Sequence, residues 1–395
     1  MGDFASSTRQ GLSSRPIALD LLPTPRRLPV QFTGSGSEYF RIWIVNLLLT
    51  LVTLSLYHPF AKARKLRYFH ANTLVGDEAL GFHGNPWAML RGYLLVIAFF
   101  GCYALAGQVS PGAAMLAAGA FAVLWPALWL ASMRFRLANT SWRGLRLRFT
   151  GDLGGTYGAY LPALPLGIAL AASAASGDGQ SPLAIGGAMV LGVAVLASLL
   201  LTPMALASIK RYQHHHFAYA GETTRLTVPT RAFYGLFMRT GLVSLAAGLL
   251  LAGAAGVVAA LGLAVGGRLS GAAAIGAAVL GLLGYLVLFA LTQPYFSARL
   301  QNLLWNGTAS FHLRFECTLR YRDLAWLSLR NMLLMVCTLG LYRPFAAVNT
   351  ARLRLEAVHL LAYCDLDGLT QAPGRAAAEA TGEAAADVLG VDIGL

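Results

Sequence analysis

Residues 56–73 read LYHPFAKARKLRYFHANT and follow an apolar run, NLLLTLVTLS, at 46–55. Lys62, Arg64, Lys65 and Arg67 share one predicted helix, opened by Pro59 and closed by Asn72 and Thr73. Proline suits a first helical turn, and asparagine tolerates the left-handed conformation that often ends a helix. The stretch returns near the other end of the chain. NLLLTLVTLSLYHPFA (46–61) and NMLLMVCTLGLYRPFA (331–346) agree at ten of sixteen positions, which is internal repetition.

Counting from a proline finds weaker copies. Pro59, Pro126, Pro203 and Pro344 are followed eight residues on by Arg67, Arg134, Arg211 and Arg352. Pro294 has Asn302 at that place and Arg299 three residues before it. Asn72 and Asn139 stand thirteen residues past Pro59 and Pro126, each followed by threonine, and Asn306 stands twelve past Pro294. The motif predicts a helix that leaves a membrane, turns basic after about two turns and stops at asparagine.

The composition says membrane. Hydrophobic residues make up 56% of the 395 and charged residues only 12%, where a soluble chain carries about 25%. Residues 92–133 hold no charge, 153–209 only Asp178, and 240–298 only Arg268. A spanning helix needs about 20 apolar residues, so each block fits two passes. Each is broken near its middle by turn-forming residues: GQVSPG (107–112), SGDGQSP (176–182) and AVGGRLSG (264–271). The expected fold is a polytopic α-helical membrane protein with six transmembrane helices in three hairpins.

The net charge of +13 belongs to the segments between hairpins. Such a balance marks the cytoplasmic side of a multi-pass protein rather than nucleic-acid binding. Both termini are therefore expected in the cytoplasm, with the hairpin tips outside. Residues 1–28 are expected to be a disordered arm and 371–395 an acidic disordered tail. Between them lie a first repeat (29–148), a second (149–314) and a third, partial one (315–370). The four cysteines (Cys102, Cys317, Cys337, Cys364) show no paired spacing.

After each basic helix a short strand is expected. LRLRF (145–149) alternates strictly, and FHLRFECTLRYR (311–322) alternates over twelve residues. Weaker candidates are VQFT (30–33), LGFH (80–83), RLTV (225–228) and LAYC (361–364). Together they predict a small cytoplasmic β-layer built by successive repeats. The segment before Pro59 is too short for a double crossing. A single crossing would put Lys62 and Arg64 outside. The better solution is two short, partly inserted helices, within 39–55 and 323–341, whose chains return to the side they came from. Eight full spans is the rival arrangement.

The segment FTGSGSEYFRIWIVNLLLTLVTLSLYHPFAKARKLRYFHANT resembles the opening of the YjgN-like proteins, uncharacterised bacterial inner-membrane proteins grouped as a domain of unknown function. It keeps that family's Phe32, Gly34, Glu38, Tyr39, Phe40, Asn46, Tyr57, Pro59, Ala61, Lys62, Arg64, Asn72 and Thr73. It departs at Ser55, where glycine is usual, and Phe60, where tryptophan is usual; Gly340 restores the glycine in the second copy. The resemblance covers about residues 30–370 and implies fold and inner-membrane location, with no activity to carry over.

Asn46 and Asn331 lie in apolar segments, where a polar side chain bonds a neighbouring helix or lines a pathway. Arg146, Arg148, Arg314, Arg320 and Arg322 fall on polar strand faces and suit phosphate. Anionic lipid heads, an anionic metabolite or the acidic tail through Asp387 and Asp392 could meet them. His214, His215 and His216 point in different directions on a helix and make a poor metal shell. No catalytic constellation, cofactor motif or metal motif is present, and no protein partner is indicated. The expected function is non-enzymatic: a transporter- or channel-like protein moving a lipid or small solute, or else a scaffold or sensor whose β-layer binds an anion or a partner.

With the four native cysteines replaced, a membrane-impermeant thiol reagent applied to intact cells is expected to label cysteines introduced at Ser110, Gly179 and Ser270 but not at Arg64. Labelling at position 64 would reverse the sidedness.

Overall fold

The computed structural model of the protein describes residues 25–164, 182–266 and 271–364. Strand β1 (Arg26–Phe32) leads into α1 (Gly36–Val52), whose N-cap Ser35 accepts the Glu38 N–H at 3.3 Å. A tight turn reverses the chain into α2 (His58–Ala71), followed by β2 (Thr73–Val75), β3 (Glu78–Ala79) and β4 (Gly81–Phe82). The order of two helices and then strands recurs. α3 (Pro86–Val109) and α4 (Pro111–Ala138) precede β5 (Thr140–Trp142), β6 (Leu145–Arg146) and β7 (Arg148–Phe149). α5 (Leu153–Tyr160) and α6 (Pro182–His215) precede β8 (Phe217–Tyr219), β9 (Glu222–Thr223) and β10 (Arg225–Leu226). α7 (Thr230–Gly266) and α8 (Gly271–Asn306) precede β11 (Thr308–Ala309) and β12 (Leu313–Cys317). α9 (Tyr321–Cys337) and α10 (Arg343–Glu356) precede β13 (Val358–Ala362). Helices adjacent in this order pack side by side, and α10 returns to α1.

The strands close on themselves. β1 pairs through its first half with β13 and through its second with β2. β4 joins β5, β7 joins β8, β10 joins β11, and β12 joins β13. β3 and β4 are halves of one extended stretch divided at Leu80, whose N–H bonds the Thr73 carbonyl at 2.9 Å. Leu147 to Thr140 and Thr224 to Phe217 repeat that bond at 2.9 and 2.8 Å. The circuit therefore passes through every strand and back to β1, and it leaves few edges to recruit another chain. Leu28, Trp142, Leu313, Leu360 and Ala362 form one buried cluster, joined by Val75, Leu80, Leu147, Tyr219 and Phe315. Leu28, Leu313, Leu360 and Ala362 sit on the neighbouring strands β1, β12 and β13, and Trp142 of β5 and Tyr219 of β8 meet them from elsewhere in the circuit, so the cluster forms an apolar plug.

A recurrent joint ties helices to strands. The Arg67 guanidinium donates to the Gly84 carbonyl at 3.2 Å, Arg134 to Gly151 at 2.7 Å, and Arg211 to Val228 at 3.2 Å. The Asn302 amide donates to Leu319 at 2.9 Å. All four reach seventeen residues ahead. Arg352 instead reaches back to the chain's start, donating to Phe32 at 3.3 Å and Gly34 at 2.8 Å. Pro59, Pro126, Pro203, Pro294 and Pro344 are all buried, as are the residues four positions on: Ala63, Leu130, Ala207, Ala298 and Val348. At Gly34, Gly84 and Gly151 a Cβ would sit 2.5–2.8 Å from the ring of the phenylalanine two residues earlier. That close approach needs glycine. A further pin lies between β9 and the turn joining β11 to β12: Glu222 accepts from the Ser310 hydroxyl at 2.8 Å and contacts the His312 ring. Burial would raise its pKa, but the bonds from His312 and Ser310 outweigh it and hold the carboxyl below its ordinary value.

Several expectations need correction. Residues 26–28, placed in a disordered arm, belong to β1, because Leu28 is buried opposite Leu360. The twelve-residue strand at 311–322 contracts to Leu313–Cys317. Asn306 and Asn302 seize both backbone groups of Cys317 and Leu319 and turn the chain. Arg320 then caps α9 and Arg322 lies within it, so neither is on a strand. LRLRF splits at Leu147 between β6 and β7. Asn72 and Asn139 end their helices at φ −95° and −93°, not left-handed. Their amides donate to the Tyr68 and Phe135 carbonyls at 2.8 and 2.9 Å, which satisfies the helix end directly. Of the five counted prolines, Pro59 and Pro344 open a helix, and Pro126, Pro203 and Pro294 lie inside longer helices.

Among the described residues, four helices are long and apolar enough to cross a membrane: Pro86–Val109, Gly112–Ala138, Gly192–His215 and Thr230–Gly253. Most of their surface is exposed. The tip at 107–112 turns at Ser110, between α3 and α4. Most of the tip at 176–182, residues 267–270 of the third tip, residues 1–24 and the acidic tail lie outside the described residues.

Arg352→Ala is expected to lower stability in detergent by about 2–3 kcal/mol, the scale of losing charge-assisted bonds and stranding two carbonyls. A melting temperature equal to the parent's would show that strand pairing alone holds the seam.

Candidate functional site

A basic cleft lies where α7 begins, α8 ends and α9 begins. One cavity, about 690 Å³, is bordered by Arg231 and Arg239 of α7 and by Tyr295, Arg299, Asn302 and Asn306 of α8. A second, about 540 Å³, shares Arg299 and adds Arg320, Arg322 and Asp323. All five arginines are exposed, and none is ion-paired with a described residue. The Arg299 guanidinium lies 5.7 Å from the Tyr295 ring centroid, and that ring meets Tyr321 edge-on at 5.3 Å.

The local sequence explains the opening. At four of the five joints an arginine runs from the proline helix to a carbonyl. At the fifth the shorter Asn302 bonds Leu319 through both amide atoms, at 2.9 and 3.0 Å. Asn306 grips Cys317 likewise, at 3.1 and 2.6 Å. The corner that arginine occupies at the other joints borders the first cavity here, and Gly235 and Gly307 line that cavity without side chains. Arg239 and Arg299 bracket the 240–298 stretch, whose single charge is Arg268. Exposed Trp326 and Tyr234 lie on the same two helices, α9 and α7. Amphipathic aromatics and arginine together mark the level of lipid headgroups. A planar, permanently charged guanidinium binds phosphate oxygens bidentately.

Of the arginines expected to share one surface, only Arg320 and Arg322 meet. Arg146, Arg148 and Arg314 lie on β6, β7 and β12, at separate places in the circuit. The proline count does not reach Arg231 or Arg239 and meets Arg299 only beside the irregular Asn302; the sequence signal for Arg239 and Arg299 is that they flank a nearly charge-free block. Asn46 and Asn331 are 7% and 4% exposed and sit within their own helical hairpins. Asn331 donates to the Ala346 carbonyl at 3.5 Å and the Thr350 hydroxyl at 3.3 Å, while the amide oxygen of each asparagine has no partner. His214 is buried against the Thr308 hydroxyl at 2.8 Å; His215 and His216 bond the carbonyls four residues back.

A family model described as bacterial protein of unknown function (DUF898) matches residues 27–388, and the chain belongs to that family. It is 29% identical over 119 residues to the inner membrane protein YjgN of Salmonella typhimurium, covering 30% of each chain. It is 28% identical over 129 residues to YjgN of Escherichia coli O157:H7, covering 32% of each. With the K12 strain's YjgN it shares 41% over 51 residues, 13% of each chain. The matched part thus spans about a third or less of these relatives. No solved structure matches.

Asn302→Ala is expected to cost about 1–3 kcal/mol, because it strands both backbone groups of Leu319. Asn302→Arg, which restores the side chain of the other joints, is expected to recover part of that stability while narrowing the cleft. Thermal unfolding of both variants in detergent checks the pair.

Proposed function

We propose that this membrane protein handles anionic phospholipid, holding the headgroup phosphate among Arg231, Arg239, Arg299, Arg320 and Arg322 and moving a lipid rather than an ion. The observation that carries this reading is the cleft: five exposed guanidinia without described ion partners, beside aromatic rings, at the border of an apolar block. We read the chain as a six-span inner-membrane protein of five related units, with the strand circuit and both termini in the cytoplasm. α8 supplies one of the spans beyond the four named above. The protein is taken to be non-enzymatic, with the lipid bilayer as its partner.

The apolar plug bears on the route. A solute moving along the axis would have to displace Trp142, Leu313 and Leu360 from their cluster. Movement along the outer flank asks for no such opening. The plug also supports the second reading, a scaffold or sensor in which the cleft reports on anionic lipid without moving it.

Purified protein in nanodiscs should prefer phosphatidylglycerol to phosphatidylcholine, and added salt should weaken the preference. Near a membrane surface each arginine contributes about 1 kcal/mol toward anionic lipid. The triple variant Arg299→Gln, Arg320→Gln, Arg322→Gln should therefore lose between about tenfold and a hundredfold in phosphatidylglycerol affinity, with phosphatidylcholine unaffected. Equal affinity of parent and variant for phosphatidylglycerol would remove the cleft from the function.

A further inference from the structure

The two hairpins nearest the chain ends are shorter than α3–α4 and α7–α8, and they are neighbours. α1 and α9 have 17 residues each and α2 and α10 have 14. α3, α4, α7 and α8 have 24, 28, 37 and 36. The short pair touches directly: the Phe40 and Phe345 ring centroids are 5.8 Å apart, and a Cβ on Gly36 would lie 2.4 Å from the Phe345 ring. A depth marker lies on α3. His58, at the foot of the first turn, packs 5.5 Å from Tyr93, just inside the stretch that is free of charge from residue 92. From Tyr93, α3 continues to Val109, about 24 Å further at 1.5 Å per residue. The first hairpin turns within about one helical turn of that level.

Both turns are built for hydrocarbon. In the first, every amide from Thr53 to His58 has an internal acceptor, including Tyr57 N–H to the Thr53 hydroxyl at 3.0 Å. That hydroxyl donates in turn to the Leu49 carbonyl at 2.7 Å. In the second, the amides from Thr338 to Arg343 are satisfied in the same way. Tyr342 N–H bonds the Thr338 hydroxyl at 3.0 Å, and the hydroxyl donates to Leu334 at 2.6 Å. Backbone that needs no water can enter lipid. The side chains around it are apolar and bare: Leu54 is 88% exposed and Leu339 95%. The two tips therefore end in lipid, in the leaflet nearer the strands, while their neighbours run through.

We propose that the paired short hairpins thin the bilayer over their sector of the protein, and that phospholipid passes between leaflets along the α8–α9 edge, where this sector meets the arginine cleft. The inference rests on the lipid-handling reading and names its route. The cleft supplies headgroup contacts at the strand-side surface. α9, 17 residues long, stops well short of the 36-residue α8 packed beside it. Mismatch between a short inserted element and the hydrocarbon thickness deforms the bilayer locally, and that shortens the path a headgroup must travel through hydrocarbon. The seam between α10 and α1 lies in the middle of this sector.

The test uses the full chain in unilamellar vesicles of phosphatidylethanolamine and phosphatidylglycerol containing a trace of headgroup-labelled lipid, bleached from outside by an impermeant reductant. Vesicles with protein should bleach past the outer-leaflet share; protein-free vesicles should stop there. Lengthening both short hairpins by one helical turn on each limb should slow the second phase about tenfold, a change of roughly 1.4 kcal/mol in the barrier, with phosphatidylglycerol affinity unchanged. In case the lengthened chain does not fold, the parent is also compared in bilayers of longer acyl chains, where the protein-dependent acceleration over protein-free vesicles should grow. Bleaching that stops at the outer-leaflet share, or a rate indifferent to hairpin length and to bilayer thickness, overturns this inference. If phosphatidylglycerol affinity still depends on Arg299, Arg320 and Arg322 in that case, the headgroup cleft stands without the route. Loss of that dependence alone overturns the cleft and leaves the thinning measured.

Discussion

Unpaired backbone on a strand edge must be covered or it invites another chain, and a chain whose strands are only two to seven residues long cannot manage this with a wide sheet. Here the first strand returns to the last. β1 bonds β13 with one half and β2 with the other, so the chain's start completes the circuit that its end begins. Arg352 fastens the same place by donating to Phe32 and Gly34. Each helix pair is anchored to a strand of this circuit, and the position of every membrane segment follows from it. The apolar centre, with Trp142 and Tyr219 rings 5.2 Å apart, gives the short strands a core to bury.

The circuit treats long and short helix pairs alike, which is why the membrane part can vary without disturbing it. The joint needs a buried proline, a small or aliphatic residue four positions on, and a donor eight positions on. Nothing in that set depends on how far the preceding helices extend. The pairs α3–α4 and α7–α8 carry long apolar limbs, while two pairs stop early at Leu54 and Leu339. The cost of stopping early is a turn in which Leu54, Ser55 and Leu339 adopt φ of 48°, 74° and 49°, a conformation that L-residues avoid. Gly340 fills the position of Ser55 in the second copy at φ 90°, where no Cβ opposes it.

The joint was legible in the sequence because it is periodic. The proline count found Arg67, Arg134, Arg211 and Arg352, and it flagged Pro294 as irregular. The apolar blocks were legible because lipid demands long runs without charge. Strand limits were not. The alternation through Arg320 and Arg322 looked continuous, but two asparagines eleven and seventeen residues upstream of their targets hold Cys317 and Leu319 and end the strand. That is a tertiary contact, and period-two patterning carries no trace of it. The separation of Arg146 from Arg148 was hidden for a similar reason: adjacent halves of one stretch pair with different neighbours, so a shared face in sequence becomes two places in space.

A departure from an internal rule is informative when the rule is structural. Four joints use arginine, whose guanidinium fills the corner between helix and strand. The fourth joint along the chain uses Asn302, which bonds both backbone groups of Leu319 yet leaves that corner open. If stability alone were served, arginine would do there what it does elsewhere. Instead the vacated corner is ringed by Arg231, Arg299 and, one cavity on, Arg320 and Arg322. Like charges lining one cleft repel each other, and among the described residues lining the second cavity Asp323 is the only acid. Local inconsistency of this kind is expected where a surface serves something other than folding. An anion at the bilayer surface is the species whose presence would turn that repulsion into binding.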